Sequence, residues 1–133
     1  MPDTPILLMP HDLHGLAAAL ARMTPRSRLL AGGTDLCLQL RAGKVQPELL
    51  VDLSGVQALS QLECSTARIC IGATVPLASL CSHQLLTRVA TCLTQATANV
   101  GSTQIRNMAT LGGNVANASP CADSIPALSL IHI

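Results

Sequence analysis

The sequence predicts a mixed α/β fold in two successive parts, a small parallel βαβ unit followed by a second, α+β region. Over residues 1–59, short Leu-, Ile- and Val-rich runs alternate with helical spacing in the order β-α-β-α-β, which a largely parallel sheet requires. From residue 60 onward a hairpin pattern is followed by helical stretches and a long loop. The chain has 133 residues, 49% apolar and 11% charged, so it can bury a core and lacks the charge density of a disordered chain.

Each element has its own signal. "ILLM" (6–9) reads as a short strand, and Asp12 suits the N-cap of a helix whose Leu13, Leu16, Ala17 and Leu20 recur at helical spacing. Pro25 closes that helix, and "RLLA" (28–31) is a second strand that runs into Gly32-Gly33. Thr34 is placed to cap a short helix, "DLCLQLRA", with Gly43 as its stop, and "ELLVDL" (48–53) is the third strand. "QLEC" and "RICIGA" (68–73) form a candidate hairpin. Pro76 opens the helix "PLASLC", as its missing N–H allows in a first turn. Leu85, Val89, Leu93 and Ala96 then trace one side of a longer helix over 84–100. Residues 101–123 show little periodicity and read as a long loop, of the kind that is usually functional in compact domains. "SIPALSL" resumes helical character.

Composition removes several classes of function. The net charge of +1 gives no electrostatic reason to expect nucleic acid, and without Phe, Tyr or Trp no ring can stack on a base. No run approaches the roughly 18 apolar residues of a membrane span. "MPDTPILLMP" lacks the basic start of a secretory signal, so a cytoplasmic location is expected. The six cysteines show no CxxC and read as small buried hydrophobes. His11 and His14 could share a helix face but have no third ligand, so no metal site is expected.

Two stretches can carry chemistry. In "LLAGGTDL" (29–36) a strand enters two glycines and leaves into a helix, where backbone without a Cβ and free N–H groups could receive an anion. A plain left-handed turn between strand and helix fits the same residues. The spacing is neither a GxGxxG fingerprint nor a P-loop. In "TLGGNVANASPCAD" (110–123) Gly112 and Gly113 repeat the device, Asn114 and Asn117 add amides, and Asp123 can accept two hydrogen bonds from a hydroxylated chain. A structural loop whose Asn and Ser satisfy their own backbone is the other reading. The alternative for Asp123 is an acid at the N-terminal turn of "SIPALSL". Neither stretch contains Lys or Arg, and Arg106 is the nearest upstream cation.

Taken in order, "LLAGGTDL", "PELLVDLS", "RICIGA" and "VGSTQIRNMATLGGNVANASPCADSIPAL" resemble the FAD-binding subunit of molybdenum-containing hydroxylases of the xanthine dehydrogenase and aerobic carbon monoxide dehydrogenase type. The resemblance covers roughly residues 10 to 130, and the two glycine motifs are specific in combination. It implies the FAD-binding fold of the p-cresol methylhydroxylase/vanillyl-alcohol oxidase type, with residues 1–59 as one subdomain and 60–133 as an incomplete second one. It implies that Ala31, Gly32, Gly33, Thr34 and Asp35 lie along the FAD pyrophosphate through backbone amides, with the Asp35 carboxylate turned away. Thr110, Gly113, Asn114 and Asn117 would approach the cofactor from the other side, and Asp123 would bind ribityl hydroxyls. Ser102, Gln104 and Arg106 would hold the loop in shape. No catalytic side chain is implied, because the flavin carries the chemistry. The implied partners are a molybdopterin-binding large subunit and a 2Fe–2S small subunit, whose electrons pass through FAD to NAD or another acceptor. Relatives of this type continue past the position of Ile133, so the chain reads as C-terminally truncated. The alternative is a non-catalytic module kept for assembly or regulation without flavin.

Overall fold

The computed structural model describes residues 4–65, 67–119, 122 and 124–130. The first part follows the expected order: β1 (Ile6–Leu8), α1 (Leu13–Leu20), β2 (Ser27–Leu30), α2 (Leu36–Arg41) and β3 (Leu49–Asp52). β3 is central, with β1 and β2 parallel on either side. A strand paired at both edges and covered on both faces is apolar without alternation, and Leu49, Leu50 and Val51 are all buried. Leu49 and Val51 meet Leu16 and Ala19 of α1 and Val56, with Leu8 packed alongside, to form the first core. α1 starts where the Asp12 carboxylate accepts a hydrogen bond from Gly15 N at 2.6 Å, as its N-cap position foretold.

A single 3-10 turn (Gln57–Leu59) leads into the antiparallel hairpin of β4 (Leu62–Cys64) and β5 (Ile69–Ile71). Among the described residues the elements from there are helices: α3 (Leu77–Ser82), α4 (Gln84–Val89), α5 (Thr91–Ala98), α6 (Thr103–Met108), α7 (Leu111–Asn117) and α8 (Ser124–Leu130). Val75, Leu77, Leu80, Leu86, Ala90, Leu93, Ala109 and Leu111 form a second core, against which the hairpin packs Leu62, Cys64, Ile69 and Ile71. Among the described residues no helix is long and apolar enough to cross a membrane.

Three expectations need correction. The helix expected over 84–100 breaks at Ala90 (φ −139, ψ 52) into α4 and α5. Its inner side is Leu86, Ala90, Leu93 and Thr97 rather than Leu85, Val89, Leu93 and Ala96. Thr97 is fully buried because its hydroxyl donates to the carbonyls of Leu93 and Thr94, so a pattern that counts only apolar residues overlooks it. The long loop expected over 101–123 instead contains α6 and α7. Two glycines and two asparagines make α7 a poor helix by propensity, and its tertiary contacts override that. The described cysteines are not buried hydrophobes: Cys64 and Cys81 are half-buried, and Cys37, Cys70 and Cys92 are exposed.

The break at Ala90 sets which leucine supports the second core. Leu86→Ala should cost about 2–5 kcal/mol, because Leu86 is 0% exposed. Val89→Ala, at a position 44% exposed, should change stability by less than about 0.5 kcal/mol. Urea unfolding followed by far-ultraviolet circular dichroism measures both, and a continuous helix with Val89 inside would reverse the order.

Candidate functional site

The first glycine turn leaves the sheet at Leu30 and reaches α2 through Ala31, Gly32, Gly33, Thr34 and Asp35. Gly33 has φ +70, the left-handed region that glycine adopts without a Cβ clash. Its carbonyl accepts from Cys37 N at 3.0 Å, and the Asp35 carbonyl accepts from Gln39 N at 3.0 Å. The N–H groups of Gly32, Gly33, Thr34 and Asp35 have no acceptor among the described residues. They lie on half-buried to exposed backbone, and successive free N–H groups of this kind suit an oxyanion.

Thr34 does not cap α2. The N-cap is Asp35, whose backbone is already helical (φ −97, ψ −46) and whose side chain makes no capping bond. A cap needs an extended backbone so that the side chain can fold back on the first turn, and the backbone of Asp35 is helical instead. Asp35 is exposed, and its carboxylate accepts no hydrogen bond among the described residues.

The second glycine turn begins at Thr110, which is buried and extended (φ −111, ψ 156) and faces Pro76 in an isolated antiparallel bridge. Leu77 N donates to Ala109 O at 2.9 Å, Leu111 N to Val75 O at 3.1 Å and Gly112 N to Ala73 O at 2.9 Å. Thr110 Oγ1 then accepts from Gly113 N at 3.1 Å, and Asn114 N donates to Thr110 O at 2.9 Å. The N–H groups of Leu111, Gly112, Gly113 and Asn114 are therefore committed inside the protein. What it presents outward is close-packed backbone and the amide of Asn114. The Asn114 Oδ1 accepts from the buried Ser124 hydroxyl and ties α7 to α8. Asn117 is exposed in the last turn of α7. Asp123 lies outside the described residues, and both roles expected of it lie there too.

The two turns are neighbours in space. A Cβ at Gly113 would sit 3.9 Å from that of Ala31 and 2.9 Å from Thr110 Oγ1. A Cβ at Gly32 would overlap the Met108 carbonyl, 2.8 Å from its carbon and 3.0 Å from Ala109 Cα. Gly112 serves packing in the same way: its Cβ would lie 2.7 Å from Ala73 O. Met108 and Ala73 thus belong to the site, though no motif marks them, because they act through backbone atoms that carry no residue signature.

Arg106 makes no hydrogen bond to either turn among the described residues. Its guanidinium donates to the carbonyls of Val100 (3.1 Å) and Gly101 (2.8 Å) and to Thr103 Oγ1 (3.2 Å). Ser102 caps α6 by accepting from Ile105 N at 3.3 Å. Both hold the approach to the second turn. Among the described residues no three His, Cys, Asp or Glu side chains are placed to share a metal ion, and His11 and His14 are exposed.

Residues 4–132 match the family model described as the FAD binding domain in molybdopterin dehydrogenase. The nicotinate dehydrogenase FAD-subunit of Eubacterium barkeri is 29% identical over 103 residues, 77% of this chain and 35% of that protein. The carbon monoxide dehydrogenase medium chain of Hydrogenophaga pseudoflava is 29% identical over 121 residues, 91% of this chain and 42% of that one. Among solved structures, reconstituted CO dehydrogenase from Oligotropha carboxidovorans superposes with a TM-score of 0.85 at 27% identity, covering 93% of this chain and 43% of the other. The chain spans between about a third and two fifths of the length of these proteins.

The capping bond at the second turn can be tested without any ligand. Thr110→Val keeps the shape of the side chain but leaves Gly113 N without its acceptor, and should cost about 1 kcal/mol. Thr110→Ser keeps the acceptor and should recover most of that loss. Equal denaturation midpoints for Thr110→Val and the unmodified chain would show that the cap does not hold α7.

Proposed function

Because this chain belongs to the family of FAD-binding domains of molybdopterin dehydrogenases, we propose that it binds FAD at its two glycine turns as part of a molybdenum hydroxylase flavin subunit. The observation that carries this reading is the run of acceptor-free N–H groups from Gly32 to Asp35, set beside Gly113. A diphosphate is doubly charged, and hydrogen bonds to charged groups contribute roughly 1.5–3 kcal/mol each. Neither turn holds Lys or Arg, so the oriented backbone supplies the compensating positive potential. Ala31, Gly32, Gly33, Thr34 and Asp35 run along the pyrophosphate, and the exposed Asp35 carboxylate stays off it. Thr110, Gly113 and Asn114 close the other side, and Asn117 and Asp123 serve the hydroxylated part of the cofactor.

FAD, when bound, supplies one- and two-electron redox chemistry, and the protein places it and tunes it. The chain's own residues bind and orient, and none is assigned a proton transfer. In the assembled enzyme electrons arrive from 2Fe–2S clusters on a small subunit, after substrate oxidation on a molybdopterin-binding large subunit, and leave to NAD or another acceptor. The setting is cytoplasmic. Residues 1–59 and 60–133 form two subdomains that meet at the cofactor, a division supported by their separate hydrophobic cores.

The chain has no Trp or Tyr, so flavin signals can be followed against almost no protein background. Titrated FAD should lose fluorescence saturably. Gly33→Val should weaken uptake by about tenfold or more, because a β-branched residue disfavours the positive φ that aims these N–H groups. A folded chain that stays colourless and takes up no FAD would instead support a module kept for assembly or regulation.

A further inference from the structure

Gly32 touches the second turn through backbone alone. Its Cα lies so close to the Met108 carbonyl that a Cβ there would overlap it, and no change of rotamer could relieve the clash. The Met108–Ala109 backbone has little freedom to retreat. Ala109 is buried, its N–H donates to Ile105 O at 2.7 Å, and its carbonyl accepts from Leu77 N at 2.9 Å. The neighbouring glycine is different: a Cβ at Gly33 would meet only side-chain atoms, Cys37 Sγ at 3.0 Å and Leu30 Cδ1 at 3.2 Å.

We propose that Gly32 is a positioning residue that seats the first turn on the Met108 carbonyl, so that the two glycine turns form one preassembled surface before any cofactor arrives. The inference rests on the FAD reading for its purpose, but the seating itself is a property of the chain alone. Any side chain at position 32 drives the acceptor-free N–H groups away from Gly113. The cofactor must then spend interaction free energy on bringing the turns together, and affinity falls even though no donor has been removed.

The geometry provides a direct test. Cβ atoms 3.9 Å apart fall within the roughly 3.5–4.5 Å spanned by disulfides. Ala31→Cys with Gly113→Cys, in a chain also carrying Cys37→Ser, should therefore form a 31–113 disulfide under mild oxidation, identified by peptide mass mapping. Adding Gly32→Ala should slow this linkage about tenfold or more. Gly43→Ala, at a glycine with open space around it, should leave linkage and FAD uptake unchanged. If linkage is equally fast with Gly32→Ala, or absent from a folded protein that keeps Gly32, the proposal is overturned. Should the double-cysteine chain fail to fold, Gly32→Ala alone still decides: amide NMR signals of Ala109, Leu111, Gly112 and Gly113 must shift without flavin, and unchanged signals overturn the seating. In the FAD titration Gly32→Ala should bind about tenfold more weakly. A wild-type chain that takes up no FAD would refute the cofactor reading, while the linkage result would still decide the seating.

Discussion

Three backbone hydrogen bonds between residues 73–77 and 109–112 fix the position of everything at the candidate site. They lie on either side of the Pro76–Thr110 bridge. At such a non-hydrogen-bonded pair the facing residues need not donate, so the missing N–H of Pro76 breaks nothing. The same bonds end α6, turn the chain and start α7 with its first donors already satisfied. They also explain Gly112, whose Cβ would strike Ala73, and they hold the Met108 carbonyl where Gly32 meets it. Each turn thus takes its place from backbone packed on backbone, which tolerates far less variation than side-chain packing.

The two double glycines look alike in sequence but do different work. In the first, Gly33 supplies a left-handed backbone and Gly32 a close approach, and the N–H groups from 32 to 35 remain available. In the second, the corresponding donors are all used, by Val75, Ala73 and Thr110. One turn offers hydrogen bonds and the other offers a wall. The nearest upstream cation, Arg106, is occupied with the carbonyls of Val100 and Gly101. Recognition of a diphosphate by backbone alone depends on donor alignment, which makes the relative placement of the turns the quantity most exposed to mutation.

Much of this was legible in the sequence where a local rule governs. The parallel order of β1, β2 and β3 followed from alternating apolar runs, the cap at Asp12 from its position before Leu13, and the hairpin from "QLEC" and "RICIGA". Ser102 and Arg106, which the family resemblance implied hold the loop in shape, do so as a helix cap and a clamp on carbonyls. Family membership was legible because the two glycine motifs occur in order. The helical state of 111–117 depends on distant partners, the carbonyls of Val75 and Ala73, and local propensity opposes it. Thr97 was missed because its hydroxyl is satisfied by carbonyls of its own helix, which an apolar pattern does not register. Thr34 was expected to cap α2 from its residue type, but a cap depends on a backbone angle the sequence does not display.

The first turn keeps its donors free while the second is already locked. Amide hydrogen exchange measured by NMR, first without flavin and then with saturating FAD, tests this difference most directly. Leu77, Leu111 and Gly112 should be protected in both conditions, since their acceptors are internal. Gly32, Gly33, Thr34 and Asp35 should exchange quickly without flavin and slow markedly once FAD is bound. If the four first-turn amides are already protected without flavin, or stay unprotected with FAD bound, the claim is contradicted.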